Sequence, residues 1–280
     1  MRTGGRLPLA PAAAALTLLL SGQAQAAPRW AAVTRAAERA VYAIEVGHSV
    51  PLDLIAGYPS WLGTGFQLRL PGGALEEVTA CHMVCSDETG QWRAWAQVSL
   101  APLGTAGFLH PAAFNTADTS MYTNADVAES SHVPQRRVTR VAFVPGGDPA
   151  VRGALRLGNF NALAAGDPLL VLGNRSGRWD TNGYRPFAQP GTYVGVRANL
   201  PESTEGSHWP GTTIPLVLEI AGNFAPGDSG GPVLDAQGHV VAVFVATNLA
   251  GTIGYAVPLD PTTGVPVAGS LARKATGWWW

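Results

Sequence analysis

Short apolar runs alternate with turn residues along most of this 280-residue chain. Runs rich in Val, Ile, Leu, Phe and Thr are bounded by Gly, Pro, Asn and Asp, a pattern typical of β-strands joined by tight turns. It predicts ten strands, at residues 43–46, 64–70, 78–80, 94–100, 138–144, 169–172, 191–198, 214–220, 240–246 and 254–257. So many short strands predict an all-β protein with a sandwich or barrel architecture.

Three segments depart from this strand pattern. Residues 30–43 have helical propensity and predict a short leading helix. Residues 148–158 are interpreted as a connection between two halves of the chain. Beyond Pro258 the pattern fades, and residues 261–280 are interpreted as a tail or a C-terminal helix.

Residues 1–26 have the organisation of a secretory signal peptide. Arg2 and Arg6 form a charged start, residues 7–20 are apolar, and Ala24-Gln25-Ala26 is a small-x-small cleavage site. We therefore expect the mature chain to begin with an N-terminal extension at residues 27–42 and to be periplasmic or extracellular. No later run of about 18 apolar residues follows, so no stable membrane insertion is expected after the signal is removed.

Composition narrows the class of protein further. The formal net charge is −1, which argues against a nucleic acid or an anionic surface as the main partner. Only 13% of residues are charged, 46% are hydrophobic, and there are 34 glycines and 22 prolines. This balance indicates a turn-rich, folded β protein of one large or two small domains.

The most distinctive stretch is Gly227-Asp228-Ser229-Gly230-Gly231-Pro232. Glycine permits backbone angles closed to other residues, so the loop can expose the Ser229 hydroxyl and direct neighbouring N–H groups to one point. That geometry suits a nucleophile beside an oxyanion hole. The alternative is an ordinary Gly-rich turn before the apolar run at residues 240–245.

Two further residues are candidates for the same chemistry. His82 follows Thr79-Ala80-Cys81 at the end of a predicted strand, where a rigid frame can orient its ring. Asp126 precedes Val127-Ala128, as expected for a partly buried carboxylate that needs a donor such as a histidine Nδ1–H. Asp118 and Asp148 remain alternatives for the acid. The other histidines lack metal-ligand spacing and are interpreted as surface residues: His48, His110, His132, His208 and His239.

The order His82, Asp126, Ser229 is that of the chymotrypsin lineage. Over residues 43–260 the chain resembles trypsin-like serine proteases of bacterial type, and is most similar to the HtrA-type catalytic domain. The matching segments are residues 63–66, 79–82, 126–128, 157–160, 165–174, 227–232 and 254–258. The sequence differs from the HtrA type in two ways. About twenty residues follow residue 260, too few for a PDZ domain, and Asp228 replaces the usual Asn.

The resemblance implies two six-stranded antiparallel β-barrels, at about residues 43–147 and 148–260, with the active site between them. It implies a peptidase in which Ser229 is the nucleophile, His82 the general base and Asp126 the group that orients the base. The backbone N–H groups of Gly227 and Ser229 would form the oxyanion hole. Polypeptides are the expected substrates, pairing with the strand at residues 245–247, and no metal or organic cofactor is implied. The oligomeric state stays open.

The Asp before the nucleophile is similar to that of trypsin and of α-lytic-type proteases. In the α-lytic type it pairs with an arginine in an R-S-G-R segment, and this chain has Arg175-Ser176-Gly177-Arg178. The resemblance therefore implies that Asp228 is ionised and paired with Arg175.

Cys81 and Cys85 are the only cysteines and flank His82. In an oxidising compartment they form a possible disulfide, since a four-residue spacing on a helical turn places their Cα atoms about 6 Å apart. Two buried thiols are the alternative.

Alignment to the family places Asn223 at the base of the primary specificity pocket, with Phe224 and Phe244 narrowing it and Val245 and Thr247 on the substrate strand. A neutral Asn compensates a Lys or Arg side chain poorly, so cleavage after small or medium apolar residues is expected. Two other functions remain open: an inactive protease-fold binding protein, since fold does not determine function, and an esterase.

Overall fold

The computed structural model describes residues 29–48, 61–80, 83, 96–105, 141–145, 151–175, 179–180, 183–201, 213–264 and 266–267. Within these residues the chain forms one α-helix and fourteen strands. In chain order they are α1 (Trp30–Ala37), β1 (Val41–His48), β2 (Trp61–Arg69), β3 (Leu75–Ala80), β4 (Ala96–Pro102), β5 (Val141–Pro145), β6 (Leu155–Arg156), β7 (Pro168–Gly173), β8 (Trp179–Asp180), β9 (Gly183–Tyr184), β10 (Phe187–Pro201), β11 (Thr213–Ala221), β12 (Pro232–Leu234), β13 (Val240–Thr247) and β14 (Ile253–Pro258). The predicted signal peptide lies outside the described residues.

The leading helix is shorter than the sequence predicts. α1 ends at Ala37, a 3₁₀ turn spans Glu38–Ala40, and β1 begins at Val41. The remaining residues of the predicted helix pair with β2 instead, with Val41 opposite Phe66. Sheet pairing and full burial of Val41 and Ile44 outweigh the weak local helix preference of this segment.

The first half of the chain forms a sheet in the order β4-β1-β2-β3-β5, which stays open between β4 and β5 within the described residues. β6 joins β2 in parallel, with Leu68 opposite Leu155. Because β1 begins opposite Phe66, the last residues of β2 have a vacant edge on that side, and β6 occupies it. The segment interpreted as a connection therefore contains a strand of the first sheet.

The second half forms a closed barrel in the order β10-β11-β14-β13-β12-β7. All its strand pairs are antiparallel. The expected all-β fold is confirmed, with a complete six-stranded barrel in this half. Five of the six strands were predicted by the apolar runs. β12 is only three residues long, which is too short to show a repeating pattern of apolar and polar positions. It forms because β13 and β7 pair with it on its two sides.

The two halves share buried side chains. One core cluster includes Ile44 and Phe66 from the first sheet together with Leu172, Val243 and Val245 from the barrel. A smaller cluster brings Tyr184 of the β8–β9 hairpin against Ala43 and Ala101 of the first sheet. Side chains of strands from the two halves are thereby packed against each other.

Candidate active site

The loop of residues 225–231, called the Ser229 loop below, lies between β11 and β12 and contacts the first sheet. Gly227 and Gly230 have positive φ, +99° and +85°. A Cβ added to Gly230 would lie 2.0 Å from the carbonyl oxygen of Thr64 and 2.9 Å from the backbone nitrogen of Ala80. Glycine is therefore needed twice in this loop, for its backbone angles and for its approach to β2 and β3.

Thr64 of β2 holds the Ser229 loop in place. Its backbone N–H donates to the Ser229 carbonyl oxygen at 2.8 Å. Its buried Oγ1 donates to the Gly227 carbonyl oxygen at 2.7 Å and accepts from the Asn174 N–H at 2.7 Å. Its own carbonyl accepts from Thr79 Oγ1 at 2.7 Å. Four hydrogen bonds at one buried residue thus tie the loop to both halves.

Two backbone N–H groups beside Ser229 have no acceptor in the part of the chain that the structure describes. Among the described residues, neither the Gly227 N–H nor the Ser229 N–H donates a hydrogen bond. The neighbouring Gly230 N–H, in contrast, donates to the Phe244 carbonyl oxygen at 2.7 Å. Polar N–H groups at a half-buried loop that lack a protein partner are available to a ligand oxygen.

The Ser229 hydroxyl faces one edge of β13. Its Oγ lies 3.5 Å from the Val245 carbonyl oxygen, a long contact for a hydrogen bond. On one side, Ala246 and Thr247 pair with β14. On the other side, no described strand pairs with residues 245–247, because β12 begins only opposite Val243. An open strand edge therefore lies next to the serine.

Asp228 is fully buried next to Arg175. Its Oδ2 accepts from the Ala225 N–H at 2.9 Å and lies 4.0 Å from Arg175 Nη2. Burial raises the pKa of the Asp228 carboxyl above its usual value, and the Ala225 N–H, the Gln189 amide and the Arg175 guanidinium oppose that rise. The two side chains lie next to each other with the guanidinium at the outer limit of an ion pair, and an ionised pair stays a prediction.

Arg175 makes closer contacts with other groups. It donates to Gln189 Oε1 at 2.7 Å and to the Asn223 carbonyl oxygen, and its guanidinium lies 5.2 Å from the Phe187 ring centroid. Arg175 thus stabilises the segment just before the Ser229 loop, through Asn223, and also lies next to Asp228.

Tyr184 is a second buried neighbour of this carboxylate. It is fully buried, and its pKa is raised, first by burial and then by the charge of Asp228. Its backbone N–H donates to the Thr105 carbonyl oxygen at 2.9 Å, which links the β8–β9 hairpin to the first half. Thr64, Asn174, Gln189 and Tyr184 were not singled out as site residues from the sequence. The only local signal was polar residues inside otherwise apolar or Gly-rich runs.

Phe224 and Phe244 fill the interior beneath the open strand edge. They are 3% and 1% exposed, with ring centroids 4.9 Å apart. A Cβ at Gly254 would lie 2.4 Å from the Phe244 ring and 2.9 Å from the Phe224 ring, and one at Gly222 would lie 2.5 Å from the Phe224 ring. Asn223 is exposed in the same segment. The two aromatic rings therefore occupy the space that side chains at positions 222 and 254 would otherwise fill.

Several predicted site residues lie outside the described residues: Cys81, His82, Cys85 and Asp126. Met83 between the two cysteines is described and is buried. In the part of the chain that is described, no group of three or more His, Cys, Asp or Glu side chains could hold a metal ion. Likewise, no helix among those residues has the length and apolar character to cross a membrane.

A family model of the trypsin-like peptidase domain matches residues 63–243, which include the Ser229 loop and the strands around it. The chain belongs to this family. A comparison with curated proteins found no match.

Solved structures of proteases resemble this trypsin-like domain. Deg5 is 17% identical with a TM-score of 0.50, over 82% of this chain and 88% of Deg5. The active form of the Rv3671c protease from M. tuberculosis is 18% identical with a TM-score of 0.49, over 99% of this chain and 92% of that one. The HtrA-type protease AlgW is 18% identical with a TM-score of 0.47, over 82% of this chain and 60% of AlgW. At this identity the likeness to Deg5 supports the fold alone.

Proposed function

We propose that this protein is an exported serine endopeptidase that hydrolyses peptide bonds through an acyl-enzyme on Ser229. The observation that carries the proposal is the Ser229 loop itself. Within the described residues, it presents a half-buried serine beside two N–H donors without an acceptor and a strand edge without a partner strand. Nucleophile, oxyanion donors and a place for an extended substrate are the parts that acyl transfer from a peptide needs.

The assignment of His82 as general base is supported by the chain leading to it. β3 ends at Ala80, whose backbone nitrogen is in close approach to Gly230. His82 is two residues further along, and two residues of chain span at most about 7 Å. This short stretch of sequence between Ala80 and His82 supports the assignment of His82 to the same site as Ser229. The assignment of Asp126 as the group that orients the imidazole rests only on the order of His82, Asp126 and Ser229 in the sequence.

The chemistry follows from these roles. Ser229 Oγ attacks the peptide carbonyl while His82 accepts its proton and later returns it to the leaving amine. The N–H groups of Gly227 and Ser229 donate to the developing oxyanion, and one such donor typically lowers the barrier by about 3–4 kcal/mol. The peptide pairs as an added β-strand with residues 245–247. These steps use side chains and backbone groups of the chain.

For specificity we propose cleavage after small or medium apolar residues such as Val, Ala or Leu. Asn223 carries no charge to compensate a basic or acidic substrate side chain, and the buried Phe224 and Phe244 leave less room for a large one. Discrimination among aliphatic residues should be loose, because one methylene is worth about 1–3 kcal/mol in a pocket.

The proposed organisation keeps the boundaries derived from the sequence. Residues 1–26 direct export, residues 27–42 form an extension, residues 43–260 form the protease domain, and residues 261–280 form a tail. Export places the enzyme in the periplasm or outside the cell, where polypeptides are its substrates.

The test combines an active-site probe with turnover. A fluorophosphonate should label the parental protein, and Ser229→Ala should abolish labelling and reduce casein cleavage by about 10⁶-fold. His82→Ala should also abolish labelling, whereas His239→Ala, at a half-exposed histidine of another turn, should not. Parental-rate cleavage by Ser229→Ala would refute the nucleophile. Labelling with turnover of esters but not peptides would indicate an esterase, and no labelling at all would favour the inactive binding protein.

A further inference from the structure

The turn that follows the open strand edge is held rigidly. The Asn248 side-chain oxygen accepts from the N–H groups of Thr252 and Ile253 at 2.9 and 3.2 Å. The Asn248 carbonyl accepts from the Gly251 N–H at 2.9 Å, and Gly251 has φ +69°. Two more bonds join the turn to the segment before the Ser229 loop, from Phe224 N–H to the Gly251 carbonyl at 2.8 Å and from Gly222 N–H to the Thr252 carbonyl at 3.0 Å.

This turn presents one apolar side chain to solvent. Leu249 at its tip is 89% exposed, while the other exposed large hydrophobic residues among those the structure describes, Leu62, Val194 and Val196, are 39–46% exposed. A single exposed leucine is ordinary on a protein surface. Here, however, the backbone below it is already ordered, so a partner that covers Leu249 loses little free energy to ordering of the loop.

The strand register shows which partner reaches Leu249. The Val245 carbonyl lies beside the Ser229 hydroxyl, so the substrate residue just before the scissile bond lies opposite Val245. In an antiparallel pair successive residues oppose successive residues, which places the third residue before the bond opposite Thr247. Beyond it, the fourth and fifth residues reach the turn that carries Leu249.

We propose that Leu249 is a specificity-determining residue, which contacts an apolar side chain four or five residues before the scissile bond. This inference rests on the proposed peptidase function and adds a second apolar preference, remote from the cleaved bond. Partial burial of one leucine side chain corresponds to a preference of about tenfold in kcat/KM.

Quenched fluorescent peptides with the same residues at the cleavage site test the proposal. They carry either two leucines or two serines at the fourth and fifth positions before the bond. The parental enzyme should cleave the leucine peptide about tenfold better, with the difference in KM. Leu249→Ser should remove that preference and leave kcat/KM for the serine peptide unchanged. Ala250→Ser, an exposed change in the same turn, should keep it.

The outcomes separate this inference from the function beneath it. An unchanged leucine preference in Leu249→Ser, or an equal loss on both peptides, would overturn the role of Leu249 and leave the peptidase intact. If the parental enzyme cleaves neither these peptides nor casein, the proposed function fails and this inference fails with it.

Discussion

Replacement of Thr64 by valine tests whether one buried hydroxyl holds the active-site loop in place. Thr64 is fully buried, and its Oγ1 lies 2.7 Å from both the Gly227 oxygen and the Asn174 nitrogen. Valine has nearly the same shape and no hydroxyl, so the change removes these two hydrogen bonds with little change in packing.

The expected loss of stability depends on the hydrogen bonds that remain in the valine variant. The Asn174 N–H also reaches the Gly227 carbonyl oxygen at 3.2 Å, so neither group becomes entirely unpaired. Two lost hydrogen bonds at about 0.5–1.5 kcal/mol each lower the free energy of unfolding by about 1–3 kcal/mol. At about 2–4 °C per kcal/mol for a chain of this size, the melting temperature should fall by roughly 2–12 °C.

Activity should fall further than stability alone requires. Loss of an oxyanion donor typically costs about 10²–10³ in kcat, and Gly227 is one of the two proposed donors. A loop that is loosened but not removed should lose about tenfold in kcat, with KM less affected.

Two matched variants serve as controls, measured by thermal melting and by peptide turnover. Thr64→Ser keeps the hydroxyl and should keep kcat. Thr79→Val removes only the bond to the Thr64 carbonyl and should affect stability more than kcat. Parental stability and kcat in Thr64→Val would refute the reasoning. Equal losses in Thr64→Ser and Thr64→Val would show that the effect does not come from the hydroxyl, because serine keeps that group.

Three further predictions concern the same region. Gly230→Ala should abolish fluorophosphonate labelling, because its Cβ would lie 2.0 Å from a β2 carbonyl oxygen, whereas Gly195→Ala, with nothing within 4 Å, should label normally. Burial raises the pKa of Asp228, so its stabilising contribution is present at acid pH and is lost as the pH rises through that raised pKa. Asp228→Asn should therefore raise the melting temperature, relative to the parent, more at about pH 8 than at about pH 4, and the opposite trend would contradict this sign. Non-reducing mass spectrometry should find Cys81 and Cys85 bridged; alkylation of two free thiols would refute the bridge.

The sequence by itself determined the strand content and the identity of the central loop. Apolar runs bounded by Gly and Pro are a local signal, and each of the ten predicted strands has a counterpart among the described strands. The Gly-Asp-Ser-Gly-Gly-Pro run is equally local, since positive φ at Gly227 and Gly230 is a property of glycine itself. The prediction failed at boundaries and at very short strands, such as β6 and β12, which depend on neighbours to pair with.

Only the tertiary structure decided what surrounds that loop. Thr64 contacts Gly227 across 163 positions of sequence and Asn174 across 110, separations at which no spacing pattern carries information. The same holds for burial. Phe224 and Asn223 are adjacent in a loop, yet the phenylalanine is in the barrel core and the asparagine is exposed. Which neighbour turns inward depends on the space left by Gly222 and Gly254, and that space exists only once the barrel is closed.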